Sequence, residues 1–151
     1  MSDHYLFVIP TDPTFVPDAS AQQGAMRLAM RAFPNVDKIV LEQSERIEFV
    51  FALGNYEAPS CPFCGSDLDH WFWTALDQWA KRIDTGRLTV TLPCCRQPGS
   101  LNDLAYGDFP QGFARFQLPA MNANIGWIGS DLLLQFEGVL GCPVRVVYRR
   151  L

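Results

Sequence analysis

Histidine is nearly missing from this chain, since only His4 and His70 occur among its 151 residues. A catalytic metal usually needs an open coordination position and histidine or carboxylate ligands, and the chain has no His-Glu-x-x-His pair. It also lacks the His-x-Glu of zinc deaminases, a Gly-x-Ser-x-Gly elbow, a P-loop and a Gly-x-Gly-x-x-Gly dinucleotide motif. The sequence therefore leans away from an enzyme.

Basic stretches and long apolar runs are also scarce. The formal net charge is −4, and the one basic cluster is Arg145, Arg149 and Arg150 near the end of the chain. Nucleic-acid affinity comes mostly from neutralising phosphates, so we expect no nucleic-acid partner. No run approaches the roughly 18 apolar residues of a membrane span, and acidic Asp3 stands where a secretory signal is basic. We expect a soluble, cytoplasmic protein without a membrane partner.

The composition is that of a folded globular chain, with 48% hydrophobic and 19% charged residues. A chain of this length can bury a substantial core without metals or disulfides as its only support. We predict one domain over residues 1–151. The segment "GNYEAPSCPFCGS" at 54–66 is the one candidate for a subdomain boundary.

The order of apolar and polar patterns predicts an α+β fold with a mixed or antiparallel sheet and about three helices. Strands are expected at 4–10, at 86–93, over "FARFQL" and over "PVRVVYRRL". Three helices are expected to start at capping residues: Asp18 or Ser20, Ser66 or Asp67, and Ser130 or Asp131. Pro34 is expected to end the first helix and Gly141 the last.

Residues 37–53 contain two β-rich runs separated by the polar "EQSE", which predicts a hairpin. Glu42, Glu45 and Glu48 come nearest to an acidic cluster. Their spacing is typical of a solvated strand face rather than of a catalytic carboxylate pair.

The middle helix carries a wide apolar stripe, which predicts packing against a large apolar surface. Its members recur at spacings of three and four residues: Leu68, Trp71, Phe72, Ala75, Leu76, Trp79 and Ile83. His70 lies opposite the stripe, so we expect it in solvent and not at a metal.

Four of the five cysteines fall in two pairs that fit a four-thiolate zinc site. Cys61 and Cys64 flank "PF" and precede Gly65, which suits the positive φ of a zinc knuckle. Cys94 and Cys95 are adjacent, and neighbouring strand residues point to opposite faces, so both can bind only if the chain turns there. Pro93, with the "QPG" that follows, makes that turn plausible. Cys142 is the substitute ligand, and otherwise a small buried apolar residue.

The same cysteine-containing segments also permit a redox interpretation. "CPFC" is similar to the glutaredoxin motif, and "TLP" before Cys94 resembles the cis-proline segment of thioredoxin-like folds. Cys61 would then be a low-pKa thiolate at a helix N-terminus, and Cys64 the resolving thiol. Gly65 separates the motif from its helix, which favours the metal site over this alternative.

With "SLNDL", "GFARF" and "LGCPVRVVYRRL", the "CPFCG" and "PCC" segments resemble a family of uncharacterised bacterial proteins over residues 59–151. The resemblance implies a zinc-ribbon-like element within an α+β body and supplies no activity. The sequence thus predicts a zinc protein whose metal is structural and whose role is to bind another protein. Trp73, Trp127 and Tyr106 are the candidate exposed aromatics.

Overall fold

A computed structural model describes residues 3–151 and confirms the α+β prediction. Its strands are β1 (His4–Pro10), β2 (Lys38–Ile39), β3 (Glu42–Val50), β4 (Thr89–Thr91), β5 (Pro98–Ser100), β6 (Gly112–Met121) and β7 (Val144–Arg150). The helices of this part of the chain are α1 (Ala19–Ala32), α2 (Asp69–Ala80) and α3 (Ser130–Leu140), with a 3-10 turn at Leu101–Asp103. None of these helices is long and apolar enough to cross a membrane.

Five strands form a sheet around β6. β6 pairs with β1 on one side and with β2 and β3 on the other, and β7 extends the sheet beyond β1. β4 and β5 form a separate two-stranded hairpin. Every pairing between these strands is antiparallel, which decides between the mixed and antiparallel sheets that the sequence allowed.

The predicted hairpin over residues 37–53 is wrong. Lys38 opposes Met121 and Glu42 opposes Gln117, so β2 and β3 follow one another along β6 and do not pair with each other. The polar "EQSE" is the start of β3, where the register shifts between Gln43 and Glu48. Its polarity reflects exposure and not a turn, since the three glutamates are solvent-exposed as expected.

The sheet is apolar on both faces, because consecutive residues of a strand point to opposite faces and its buried strands have apolar residues at consecutive positions. Leu6 and Val8 face the cluster that α1 and α3 cover, where the rings of Phe33 and Phe136 lie 6.3 Å apart. Phe7 and Ile9 face a second cluster that includes Val147. α1 has the predicted cap, because Asp18 Oδ1 accepts from the Ala21 N–H. The N-cap position of α3 is Gly129, one residue before the nearer of its two predicted caps, and the helix ends at Gly141 as expected.

α2 belongs to a third apolar cluster, beside the cysteines. Leu68, Phe72, Ala75 and Trp79 of the predicted stripe are buried there. Ile83 is fully exposed, since it lies beyond the last turn of the helix. The helix begins later than predicted: Leu68 occupies the N-cap position, and the Asp67 carboxylate accepts from the Asp69 N–H in a turn that precedes the helix.

A buried polar side chain joins this third cluster to the main sheet. Asn102, in the 3-10 turn, donates to the Thr11 carbonyl at 2.8 Å. Its side-chain oxygen accepts from the Phe113 N–H of β6 and from the Arg145 guanidinium of β7. Because buried amides must have hydrogen-bond partners, this contact fixes where the cysteine-bearing segment sits on the sheet.

Candidate metal centre

The first cysteine turn is a tight loop closed by backbone hydrogen bonds. The Cys61 N–H donates to the Ser66 carbonyl (2.8 Å), and the Gly65 N–H donates to the Cys61 carbonyl (2.9 Å). Gly65 has φ of +77°, the left-handed conformation that glycine adopts without strain. The N–H groups of Phe63 and Cys64 lie 3.4 and 3.5 Å from the Cys61 sulfur. This turn therefore has the positive φ at Gly65 and the N–H groups directed at the first sulfur that the sequence predicted.

The second cysteine turn repeats that backbone. The Leu92 N–H donates to the Gln97 carbonyl (3.0 Å), and the Arg96 N–H donates to the Leu92 carbonyl (2.9 Å). Arg96 has φ of +64°, matching Gly65. The β4–β5 hairpin holds this turn at its tip, with Thr91 opposite Pro98. The chain thus turns at the vicinal cysteines instead of continuing as a strand.

Superposing the two hydrogen-bond patterns aligns "CPFCG" at 61–65 with "LPCCR" at 92–96. Cys95 then takes the place of Cys64, and Cys94 takes the place of Phe63. Leu92 takes the place of Cys61 and is fully buried. The sequence analysis did not identify Leu92 as the buried first residue of a second turn. The available signal was the proline at the second position of both turns, Pro62 and Pro93.

The two turns bring four sulfurs together. The sulfurs of Cys64 and Cys94 are 3.3 Å apart and those of Cys61 and Cys95 are 3.7 Å apart, while all four lie within 4.8 Å of one another. A tetrahedral zinc with bonds of about 2.3 Å requires sulfur separations of about 3.8 Å. The cluster could therefore hold a metal ion.

Burial and hydrogen bonding divide the four thiols. Cys61 is buried, Cys95 half-buried, and Cys64 and Cys94 exposed. The hydrogen bond with the Ser66 hydroxyl (3.2 Å) lowers the pKa of Cys64 to about 6. Desolvation, with the contact to Cys64, raises the pKa of Cys94 to about 12. Four sulfurs this close cannot all be ionised without a cation, since the negative charge on one thiolate disfavours ionisation of its neighbours.

Cys142 is not part of the cluster. It is half-buried after α3 and packs against the apolar core beneath α1 and α3, as its alternative interpretation proposed. Burial raises the pKa of its thiol, as expected for an inert apolar cysteine.

The other candidate side chains lie outside the cluster. His70 is exposed, as helical geometry predicted. Trp73 and Trp127 are 40% and 59% exposed, so both remain interaction candidates. Tyr106 is a wrong prediction: it is 5% exposed, and its hydroxyl donates to the Leu101 carbonyl. Although Gly107 follows it directly in the sequence, the Tyr106 ring packs on Phe72 in the core.

No protein-family model, curated protein or solved structure matches the chain. The likeness of its two turns to a zinc ribbon is local, limited to the hydrogen bonds and sulfur positions given above.

Proposed function

We propose that Cys61, Cys64, Cys94 and Cys95 bind one Zn²⁺ in a zinc-ribbon-like element, and that the protein is a non-catalytic interaction module. The observation that carries the metal assignment is the meeting of four sulfurs from two separate turns at tetrahedral spacing. Thiolates of this number and geometry are the ligands of structural zinc sites.

The zinc has a structural role in this proposal. Four thiolates complete its tetrahedral shell, and a catalytic zinc instead keeps a position for water or substrate. The ligands come from two turns that flank α2, so the ion ties the start of that segment to the β4–β5 hairpin. Its binding energy is then folding energy of this region.

The interaction role is supported by aromatic side chains held in place while exposed. Trp127 packs edge-on against Tyr148 at 4.5 Å, and the Tyr148 hydroxyl accepts from the Ile128 N–H. An ordered, half-exposed tryptophan is the kind of residue that dominates binding energy at interfaces. Cytoplasmic protein partners are the class that this proposal expects.

The second candidate is a thiol-disulfide oxidoreductase that uses Cys61 and Cys64. Although burial opposes it, the backbone N–H groups of Cys64 and Phe63 lower the pKa of the Cys61 thiol, which favours this role. The position of Cys61 gives the role less support. An attacking thiol needs access, and Cys61 is 2% exposed. α2 begins at Asp69, so Cys61 does not stand at the helix N-terminus where such thiolates are activated.

Metal analysis of protein purified without chelator tests the proposal. We expect about one zinc per chain. The Cys64→Ser variant should lose zinc and unfold more readily, whereas Cys142→Ser, the matched control outside the cluster, should keep it. A well-folded, metal-free protein in which Cys64→Ser traps mixed disulfides would favour the oxidoreductase instead.

The interaction role is tested by partner capture with purified, zinc-loaded protein. A partner retained by the wild-type chain should be lost with Trp127→Ala and kept with Leu134→Ala, a comparably exposed residue on α3. Retention that is indifferent to every exposed aromatic would contradict the role assigned to them.

A further inference from the structure

A groove of about 430 Å³ separates α2 from the β4–β5 hairpin. Neither Trp127 nor Tyr148 lines it. One wall is a single face of α2 and its C-terminal extension, with Trp71, Gln78 and Arg82. The other wall is the β4–β5 hairpin, with Thr89 and Thr91 of β4 and Pro98 of β5. The volume lies within the range of ligand-binding clefts.

The outer edge of β4 is unpaired. In the hairpin, the Leu101 N–H donates to the Leu88 carbonyl, and the Leu92 N–H donates to the Gln97 carbonyl. Antiparallel strands alternate between hydrogen-bonded and non-bonded residue pairs, so Thr89 and Thr91 are non-bonded positions. Their N–H and C=O groups point away from β5. No other strand among residues 3–151 pairs with β4, which leaves a short template for strand addition.

The groove also carries positive charge in an acidic protein. Arg82 and Arg87 line its end near the start of β4. Arg46 adds a third guanidinium there, because its Nη2 donates to the Arg82 carbonyl at 3.1 Å. The groove lining contains no carboxylate, and in the described chain the one ion pair is Lys81–Asp77. Neither groove arginine therefore has an acidic partner among residues 3–151.

We propose that this groove binds an extended acidic segment of a partner protein, which adds a strand to β4. The partner's backbone pairs with Thr89 and Thr91, its acidic side chains contact Arg82 and Arg87, and an apolar side chain packs against Trp71. Strand addition supplies affinity through main-chain hydrogen bonds and specificity through alternate side chains. This inference rests on the proposed interaction role and names the partner chemistry and the surface.

The observations favour a peptide over a nucleic acid. A strand edge offers donors and acceptors in alternation, which match another peptide backbone, whereas a phosphate chain presents acceptors only. Two or three arginines in a chain of net charge −4 also neutralise few phosphates. A single-stranded oligonucleotide is therefore the competing ligand in the test.

The probe is a displayed library of random heptapeptides, selected on the full chain after its zinc content has been measured. We expect enrichment of peptides with Asp or Glu beside alternating apolar residues, and their binding is then measured by fluorescence polarisation. Thr89→Pro removes an outward N–H and no hairpin bond, so it should weaken binding about tenfold, while Thr89→Val should not. Arg82→Ala and Arg87→Ala should each weaken it about threefold to tenfold, and Lys81→Ala should have little effect.

A second measurement avoids variants of the protein. N-methylation of alternate amides in an enriched peptide should abolish binding in one register and spare it in the other, as strand pairing requires. Enrichment of nothing, equal binding of both methylated forms, or tighter binding of a twelve-nucleotide single strand than of any peptide overturns the inference. Zinc content and capture of a partner dependent on Trp127 are read separately, so the proposed function can survive that outcome.

Discussion

The two cysteine turns share a backbone conformation but not a cysteine pattern. "CPFCG" places sulfurs at its first and fourth positions, and "LPCCR" places them at its third and fourth. Both turns have the same two hydrogen bonds and the same left-handed fifth residue. The fold of the turn is thus independent of where its sulfurs stand.

What the turns have in common besides backbone is a buried first residue. Cys61 is 2% exposed and Leu92 is fully buried, and both pack in the cluster around Phe72. In the first turn that residue both packs and faces the metal cluster. In the second turn Leu92 only packs, and the sulfur comes from Cys94 at the exposed third position. The following substitutions separate packing from ligation.

The largest effect is expected from Cys61→Ser, because it removes a ligand at a buried first position. We expect loss of nearly all zinc and a large fall in the free energy of unfolding, since ligand binding and local folding are coupled. Zinc content and thermal unfolding measure both. Zinc retained at about one per chain in Cys61→Ser contradicts the four-thiolate assignment.

Leu92→Ala tests packing alone at the equivalent position. Truncation of a buried leucine typically costs about 2–5 kcal/mol, and the zinc content should remain unchanged because no sulfur is lost. Denaturant unfolding of the zinc-loaded protein measures the cost. Leu88→Ala, a buried leucine of the same cluster outside the turn, is the matched control for general packing loss.

The double variant Leu92→Cys with Cys94→Phe turns "LPCCR" into "CPFCR", so that both turns place sulfurs at the first and fourth positions. We expect one zinc to be retained, with a net loss of about 1–3 kcal/mol from exchanging a buried leucine for a smaller side chain. Metal analysis compares the zinc content of the double variant with that of Cys94→Phe alone. If the double variant holds no more zinc than the single one, the two turns are not interchangeable.

The smallest effects concern the left-handed fifth residues. Gly65→Ala should destabilise by about 1 kcal/mol, because a Cβ disfavours this conformation. Arg96→Gly should be neutral or slightly stabilising, because it relieves the same strain at φ of +64° while loosening the unfolded chain. Parallel denaturant titrations compare the two. Equal changes of the same sign would show that the turns differ in more than their side chains.

Local patterns in the sequence were sufficient to predict that three helices exist and where the first cysteine turn lies, although the starts of α2 and α3 were misplaced by one or two residues. Asp18 and Gly141 bound their helices as capping chemistry predicts. Gly65 marked the first turn because a positive φ is a property of one residue and its neighbours. These features depend on interactions a few residues apart, which is the range that such patterns report.

Features that depend on distant partners were not predictable in this way. β2 and β3 are separate strands because β6, more than 60 residues further along the chain, offers both of them an edge. Tyr106 is buried because Phe72 of α2 covers it, although its own surroundings are loop-like. The pairing of Cys94 and Cys95 with Cys61 and Cys64 could be predicted from chemistry, but the part of Leu92 needed the hydrogen bonds.

The placement of the cysteine pairs on either side of α2 has an entropic consequence. Cys64 and Cys94 are 30 residues apart in sequence, and a shared metal ion would close the intervening chain into a loop. By the chain-entropy relation for cross-links, closing a loop of this length restricts the unfolded state by about 3–4 kcal/mol. The ion would then act as a reversible counterpart of a disulfide. A chelator would open the loop and restore the conformational freedom of the unfolded chain without breaking a covalent bond of the protein.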